Sequence, residues 1–138
     1  PPVAALGNQP NSARASLVDF SLATPHFKWS ELECKCGCNA QYIDDEALWM
    51  LEDLRVLIAR PFSPSSAARC PLHNVRVGGA PLSKHRSTEV TPSTAFDIPL
   101  VAPLERLLEA AEQVGFNGLG TSYNSFIHVD LREAPARW

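Results

Sequence analysis

Four side chains in the second half of the chain could carry chemistry together: His85, Asp97, His128 and, two residues after His128, Asp130. Two neutral imidazoles and one carboxylate fill three corners of a tetrahedron around a divalent cation such as zinc and leave the fourth for water. The cation acidifies that water until it becomes a nucleophile near neutral pH. His85, Asp97 and His128 are therefore candidate metal ligands, although the same donor set also suits iron or cobalt.

The elements around them must bring distant positions together. Thr94-Ala95-Phe96-Asp97-Ile98 is a mostly apolar run broken by one carboxylate, predicted as a strand that presents Asp97 at a cleft. In Phe126-Ile127-His128-Val129-Asp130-Leu131, strand alternation puts Phe126, His128 and Asp130 on one face and Ile127, Val129 and Leu131 on the other. Burying two polar side chains on a strand face is costly unless they pair or bind a metal. The plainer alternative is that His128 and Asp130 hydrogen-bond each other on a solvated face.

Between residues 27 and 138 the chain resembles the zinc D-alanyl-D-alanine carboxypeptidase family, peptidase family M15, above all its small phage and bacterial members. The resemblance is carried, in order, by Arg69-Cys70-Pro71-Leu72-His73-Asn74, Val77-Gly78-Gly79-Ala80-Pro81-Leu82-Ser83-Lys84-His85, Ala95-Phe96-Asp97-Ile98, Phe126-Ile127-His128-Val129-Asp130 and the closing Ala136-Arg137-Trp138. The family's Ser-x-His motif falls on Ser83 and His85, and its Ala-x-Asp on Ala95 and Asp97. The resemblance implies that one catalytic zinc ion is held by His85, Asp97 and His128, and that Arg69 holds substrate. It implies an α+β fold like that of the hedgehog and D-Ala-D-Ala peptidases, with a small antiparallel sheet and helices packed on one face.

The chain departs from the family pattern twice. Eleven residues separate His85 from Asp97, more than the family usually has, and Ser93 stands where a Gly is usual. The extra residues, Ser87 to Pro92, are expected to form a surface loop that reshapes substrate access, since loop closure entropy grows slowly with length. Second, the Glu or His that many relatives carry just before the last ligand is replaced by Tyr123, Asn124, Ser125 and Phe126. Asp130, facing the same side as His128, is the expected replacement, either as general base or as a group orienting an imidazole. Glu89, in the inserted loop, is an outside candidate for the base.

Charge completes the expected chemistry. Negative charge grows on the carbonyl oxygen as water attacks a peptide, and the zinc with a nearby cation would stabilise it. Arg69 is the candidate cation, and its planar fork also suits a substrate carboxylate. Ser83 would add a hydrogen bond to that carboxylate. The plain alternative for Arg69 is a surface ion pair.

At 138 residues and 45% hydrophobic content the chain suits one compact domain. A net charge of -3 with no Lys/Arg cluster argues against a nucleic-acid partner. There is no apolar run long enough to span a membrane, and no basic start with an apolar centre of the signal-peptide kind. A mature form, or a phage protein released by other means, is expected, acting in the periplasm, at the cell exterior or on a host cell wall. Residues 1–26, rich in Pro, Ala, Ser and Asn, are expected to be an arm or linker that could dock on a protein partner; residues 27–138 form the expected zinc peptidase domain.

Within that domain Phe27 to Leu32 is expected to be a short helix or turn. A helix starts at Asp44, whose side chain caps it, with Ile43 and Leu48 as a hydrophobic staple and Ala47, Leu51, Leu54 and Ile58 as the core stripe. Pro61 to Ala68 should run extended as an edge or irregular strand, and Gly78-Gly79 should turn. A second helix opens at Pro103, buries Leu104, Leu107, Leu108, Ala111 and Val114, and ends at Gly115. Gly118 to Tyr123 should form a strand and turn. Cys34, Cys36, Cys38 and Cys70 are compatible with a disulfide, reduced thiols or a structural zinc. A disulfide from the first three to Cys70 is favoured, because Cys70 has no neighbouring cysteine with which to form a second metal-binding knuckle.

Three functions follow: a zinc peptidase cutting peptidoglycan stem peptides, as a D,D-carboxypeptidase or a phage endolysin-type endopeptidase; a zinc-binding structural or virion-associated module of the same fold with reduced catalysis; or a metal-free interaction domain using the N-terminal arm.

Overall fold

The computed structural model describes residues 19–138. Its elements run β1 (Leu22–Thr24), β2 (Phe27–Lys28), α1 (Trp29–Leu32), α2 (Asp45–Ile58), α3 (Pro71–Arg76), β3 (Ala95–Pro99), α4 (Leu104–Val114), β4 (Gly118–Gly120), β5 (Phe126–Asp130) and β6 (Ala136–Arg137). The class is α+β. Most of the expected arm, residues 1–18, lies outside the described residues. Its last few residues are part of the folded body: β1 pairs antiparallel with β2, Thr24 is buried, and the His26 amide donates to the buried Glu52 carboxylate at 2.8 Å.

Each of the two long helices has one end set by a residue whose chemistry requires it. The Asp44 carboxylate accepts the Ala47 amide at 2.9 Å, which satisfies one of the free donors of the first turn of α2. Ala47, Leu51, Leu54 and Ile58 are buried as expected. Gly115 closes α4 in the left-handed region, at φ 117°, where a side chain would be strained. The buried face of α4 is Leu107, Ala110 and Ala111, while Leu104 is exposed. Leu108 and Val114 pack against the core half-buried, as expected, so the predicted stripe holds except for Leu104 on the first turn, and Ala110 joins it.

The main sheet has the order β3-β5-β4-β6. β3 and β4 flank β5 antiparallel, as expected, but β6 joins β4 in parallel, so the sheet is mixed at that edge. A strand of two residues leaves no periodicity to read in the sequence. It is held by the Ala136 amide on the Asn117 carbonyl at 2.9 Å and the Trp138 amide on that of Leu119 at 3.1 Å. Phe96, Ile98, Leu119, Ile127 and Val129 enter the same apolar core as α2 and α4, leaving the opposite face of β3 and β5 to the polar residues.

The segment before Arg69 is extended and irregular, as predicted. It borders the outer edge of β3, with the Ser65 amide on the Asp97 carbonyl at 3.0 Å and the Asp97 amide on the Ser66 carbonyl at 2.9 Å. The helix α3 that follows was not expected from periodicity. Six residues are too few for a stripe, and its sequence signals are Pro71 in the first turn and Cys70 as the cap. Among the described residues no helix is long and apolar enough to cross a membrane.

Candidate metal centre and cleft

The register of β3 against β5 sets Asp97 directly opposite His128 and Ala95 opposite Asp130. Directly paired residues on antiparallel strands share a face, so the Asp97 carboxylate and the His128 imidazole meet, with Oδ1 3.2 Å from Nδ1. His85 arrives from a loop whose backbone is tied to Arg69: the Arg69 amide donates to the His85 carbonyl at 2.8 Å, and the Ser87 amide to that of Arg69 at 2.7 Å. His85 Nε2 lies 3.1 Å from the same Asp97 oxygen. One donor atom from each of His85, Asp97 and His128 falls within 4.8 Å of the others, and all three residues are buried.

Each imidazole is held by its other nitrogen. His85 Nδ1 is 2.8 Å from the Ala67 carbonyl, an acceptor that requires N–H at that atom and leaves Nε2 as a lone pair aimed at Asp97. His128 Nε2 is 2.7 Å from Asp130 Oδ2, which leaves Nδ1 for the centre. Two lone pairs and a carboxylate converging in a buried volume repel one another unless a cation or protons lie between them. The donor set therefore fits a divalent ion of zinc's preferences.

The electrostatics follow from these contacts. Burial alone would raise the Asp97 carboxyl, but the His128 and His85 imidazoles against it, whenever a proton lies between them and the carboxylate, outweigh burial and hold it at about 2. Burial likewise opposes ionisation of Asp130, and hydrogen bonds from Arg132 and His128 bring it to about 2. His128 is raised: burial disfavours its cation, but Asp130 and Asp97 more than compensate. Asp130 is fully buried and is gripped on both oxygens by Arg132, with Nε on Oδ1 at 2.7 Å and Nη2 on Oδ2.

A cavity of about 620 Å³ opens over the three donors. Arg69 and Ser83 line it, as do Tyr123, Phe126, Arg132 and Trp138. The Arg69 guanidinium is braced, with Nε on Ser66 Oγ at 3.2 Å and Nη1 on Asn74 Oδ1 at 3.1 Å. Its Nη2 lies 3.9 Å from Asp97 Oδ2. Arg69 is thus not in a plain surface ion pair. Ser83 Oγ accepts the His85 amide at 3.2 Å, which fixes the turn into that residue. Among the described residues Asp97 is the only carboxylate lining the cavity. Asp130 lies behind His128, and Glu89 is exposed away from the cavity.

The inserted segment is anchored at both ends. The hydroxyls of Ser87 and Ser93 both donate to the Tyr42 carbonyl, at 2.7 and 3.2 Å. Its Thr88, Thr91 and Pro92 line a neighbouring depression, not the main cavity.

Sequence reasoning did not single out Asn74, Tyr123 or Trp138 as parts of the site. The Trp138 ring lies 5.2 Å from that of His128, its Nε1 donates to the Tyr123 hydroxyl at 3.0 Å, and Arg132 lies 4.8 Å over it. The usable signal was Gly118-x-Gly120. A Cβ on Gly118 would stand 1.9 Å from Asp130 Oδ1, and one on Gly120 2.7 Å from the Trp138 ring. The glycines are there because the site's side chains occupy that space.

The disulfide expected from the first cysteine group to Cys70 is not formed: Cys34, Cys36, Cys38 and Cys70 are all free. Cys36 Sγ is 3.8 Å from Cys70 Sγ, against about 2.05 Å for a bond.

A model of the family described as Peptidase M15 matches residues 25–130, a span that contains the three donors and Arg69. No curated protein matches the chain.

Proposed function

The chain belongs to the M15 peptidases, and from that premise we propose that it is a zinc-dependent hydrolase of peptidoglycan stem peptides, a D,D-carboxypeptidase or an endolysin-type endopeptidase. The observation that carries this reading is the convergence of His85, Asp97 and His128 at the floor of a cleft that Arg69 also lines. Zinc held by those three would supply an acidified water as nucleophile and polarise the peptide carbonyl.

The remaining roles belong to the chain itself. Arg69, held in orientation by Ser66 and Asn74, offers its remaining N–H groups to a substrate carboxylate or to the oxygen on which charge develops. Ser83 keeps a hydroxyl proton for the same anion while accepting from His85. Asp130 acts as a positioning residue, because both its oxygens are engaged and it fixes which nitrogen His128 turns to the centre. The site of action is the periplasm, the cell exterior or, for a phage-encoded chain, the host wall.

A second reading has its own observation: no carboxylate outside the candidate ligand set lines the cavity among the described residues, so the usual general base has no counterpart. That favours a zinc-binding structural or virion-associated module with reduced turnover. Zinc content and release of D-alanine or stem fragments from purified cell wall separate the two. Turnover that disappears in His128→Ala supports the peptidase. Zinc bound at the histidines without turnover on any wall substrate selects the module, and no zinc there refutes both.

A further inference from the structure

We propose that Cys34, Cys36, Cys38 and Cys70 form a second metal site, a tetrathiolate zinc centre that is structural and separate from the cleft. The four sulfurs all lie within 4.8 Å of one another, with Cys34 Sγ 3.4 Å from Cys36 Sγ and Cys36 Sγ 3.8 Å from Cys70 Sγ. A tetrahedron with Zn–S bonds of about 2.3 Å has sulfur–sulfur edges of about 3.8 Å. The observed spacings match those edges and are well beyond a disulfide.

The backbone is arranged for thiolates. The chain from Cys34 to Cys38 closes a tight turn, with the Gly37 amide on the Cys34 carbonyl at 3.4 Å and Gly37 at φ 91°. That conformation brings three alternate cysteines to one point. Three amides then donate to sulfur: Cys70 to Cys34 at 3.4 Å, Ala40 to Cys38 at 3.4 Å and His73 to Cys70 at 3.3 Å. Amide hydrogen bonds favour the anionic form of sulfur, the form that ligates. Cys34 is buried while Cys36 and Cys38 are exposed, so an ion has a route in from solvent.

Position in the fold gives the site its purpose. One knuckle directly follows α1. The other ligand directly follows Arg69, whose backbone pairs with His85. A zinc ion here would fasten the N-terminal part of the domain to the segment that carries both Arg69 and the backbone partner of His85. Such a cross-link between segments distant along the chain contributes to folding directly.

The test is zinc content of the purified full chain after loading with Zn²⁺ under reducing conditions and desalting. Wild type is expected to hold two ions and His85→Ala one. An organomercurial thiol reagent should release that remaining ion with titration of four thiols. Cys36→Ser together with Cys38→Ser should hold only the ion at the histidines. Because that variant can fail to fold, wild type and His85→Ala are also loaded with Co²⁺ alone, and both should show intense sulfur-to-cobalt charge-transfer absorption. The idea is overturned if folded His85→Ala holds no zinc, if the cobalt bands are absent, or if intact mass shows the cysteines oxidised in pairs. Wild type holding a single, thiol-bound ion would instead sink the catalytic proposal and leave this one standing.

Discussion

Asp97 and His128 are cross-strand partners, and the carboxylate of one reaches the imidazole of the other at 3.2 Å, so the pairing register of two strands sets the geometry of two metal donors. A slip of one residue would turn His128 into the apolar core. Metal binding should therefore be sensitive to groups that hold this pair without touching the ion.

Asp130 is the clearest of these. Asp130→Asn keeps the shape but loses the carboxylate charge facing Nε2 of His128 and the ion pair with Arg132. Zinc affinity at the histidine site should fall about 10–100-fold, read by competition with a chelator, whereas Asp97→Asn should abolish zinc binding there. Equal losses in the two variants would mean that Asp130 is itself a ligand.

Arg69→Lys tests substrate recognition. Lysine keeps the charge but cannot hold Ser66 and Asn74 and still present a fork. Loss of one charge-assisted hydrogen bond, about 1.5–3 kcal/mol, corresponds to a drop in kcat/KM of roughly 10–150-fold with zinc content unchanged. An unaltered kcat/KM would remove Arg69 from the site.

Acid should weaken the fold through Asp130. Its carboxyl lies at about 2 in the folded chain against an ordinary 3.8, so the unfolded state binds the proton first. The contribution, on the order of 2 kcal/mol, is complete above pH 3.8 and is lost as the pH falls through about 2. Urea titrations across that window, in chelator, should show a smaller decline in Asp130→Asn than in wild type. Parallel curves would contradict the assignment.

Zinc binding at the histidines should show the opposite titration, that of a cation. His128 is raised above its ordinary 6.5, and its Nδ1 must be proton-free to bind metal. Apparent affinity should fall by about tenfold per pH unit below that raised value. At a pH below that value, calorimetric zinc titrations of the Cys36→Ser, Cys38→Ser variant in two buffers of different ionisation heat would count the proton released at the histidines, and no release there would show that His128 binds no metal.

The two glycines of β4 make a stability prediction of graded size. Gly118→Ala drives a methyl into the buried Asp130, and Gly120→Ala drives one into the half-exposed Trp138. Overpacking typically costs about 1–3 kcal/mol, and the cost should be larger for Gly118, because the Trp138 ring has open space on one side. Thermal melts rank them, and the reverse order would show that Trp138 is the more rigid neighbour.

Local chemistry was legible wherever neighbours along the chain decide it. Asp44 caps, Gly115 stops a helix and the alternation of Phe126 to Asp130 assigns two faces, because each depends on a few bonds and a fixed period. The residues of the candidate site could be named for the same reason, by type and by motif. The parallel strand β6, the helix α3 and the bracing of Arg69 by Asn74 were not legible, since each is too short for a period or is made by residues that meet only after folding.

The cysteines mark that boundary most sharply. By itself the sequence determined that three thiols lie in one turn and a fourth follows Arg69, which along the chain makes Cys70 solitary. Only the tertiary structure decided that Cys70 caps α3 beside that turn and that Asp130 faces Arg132 behind His128. Linear spacing sets which atoms a segment offers; the packing of distant segments sets which of those atoms come close enough to share an ion or a proton.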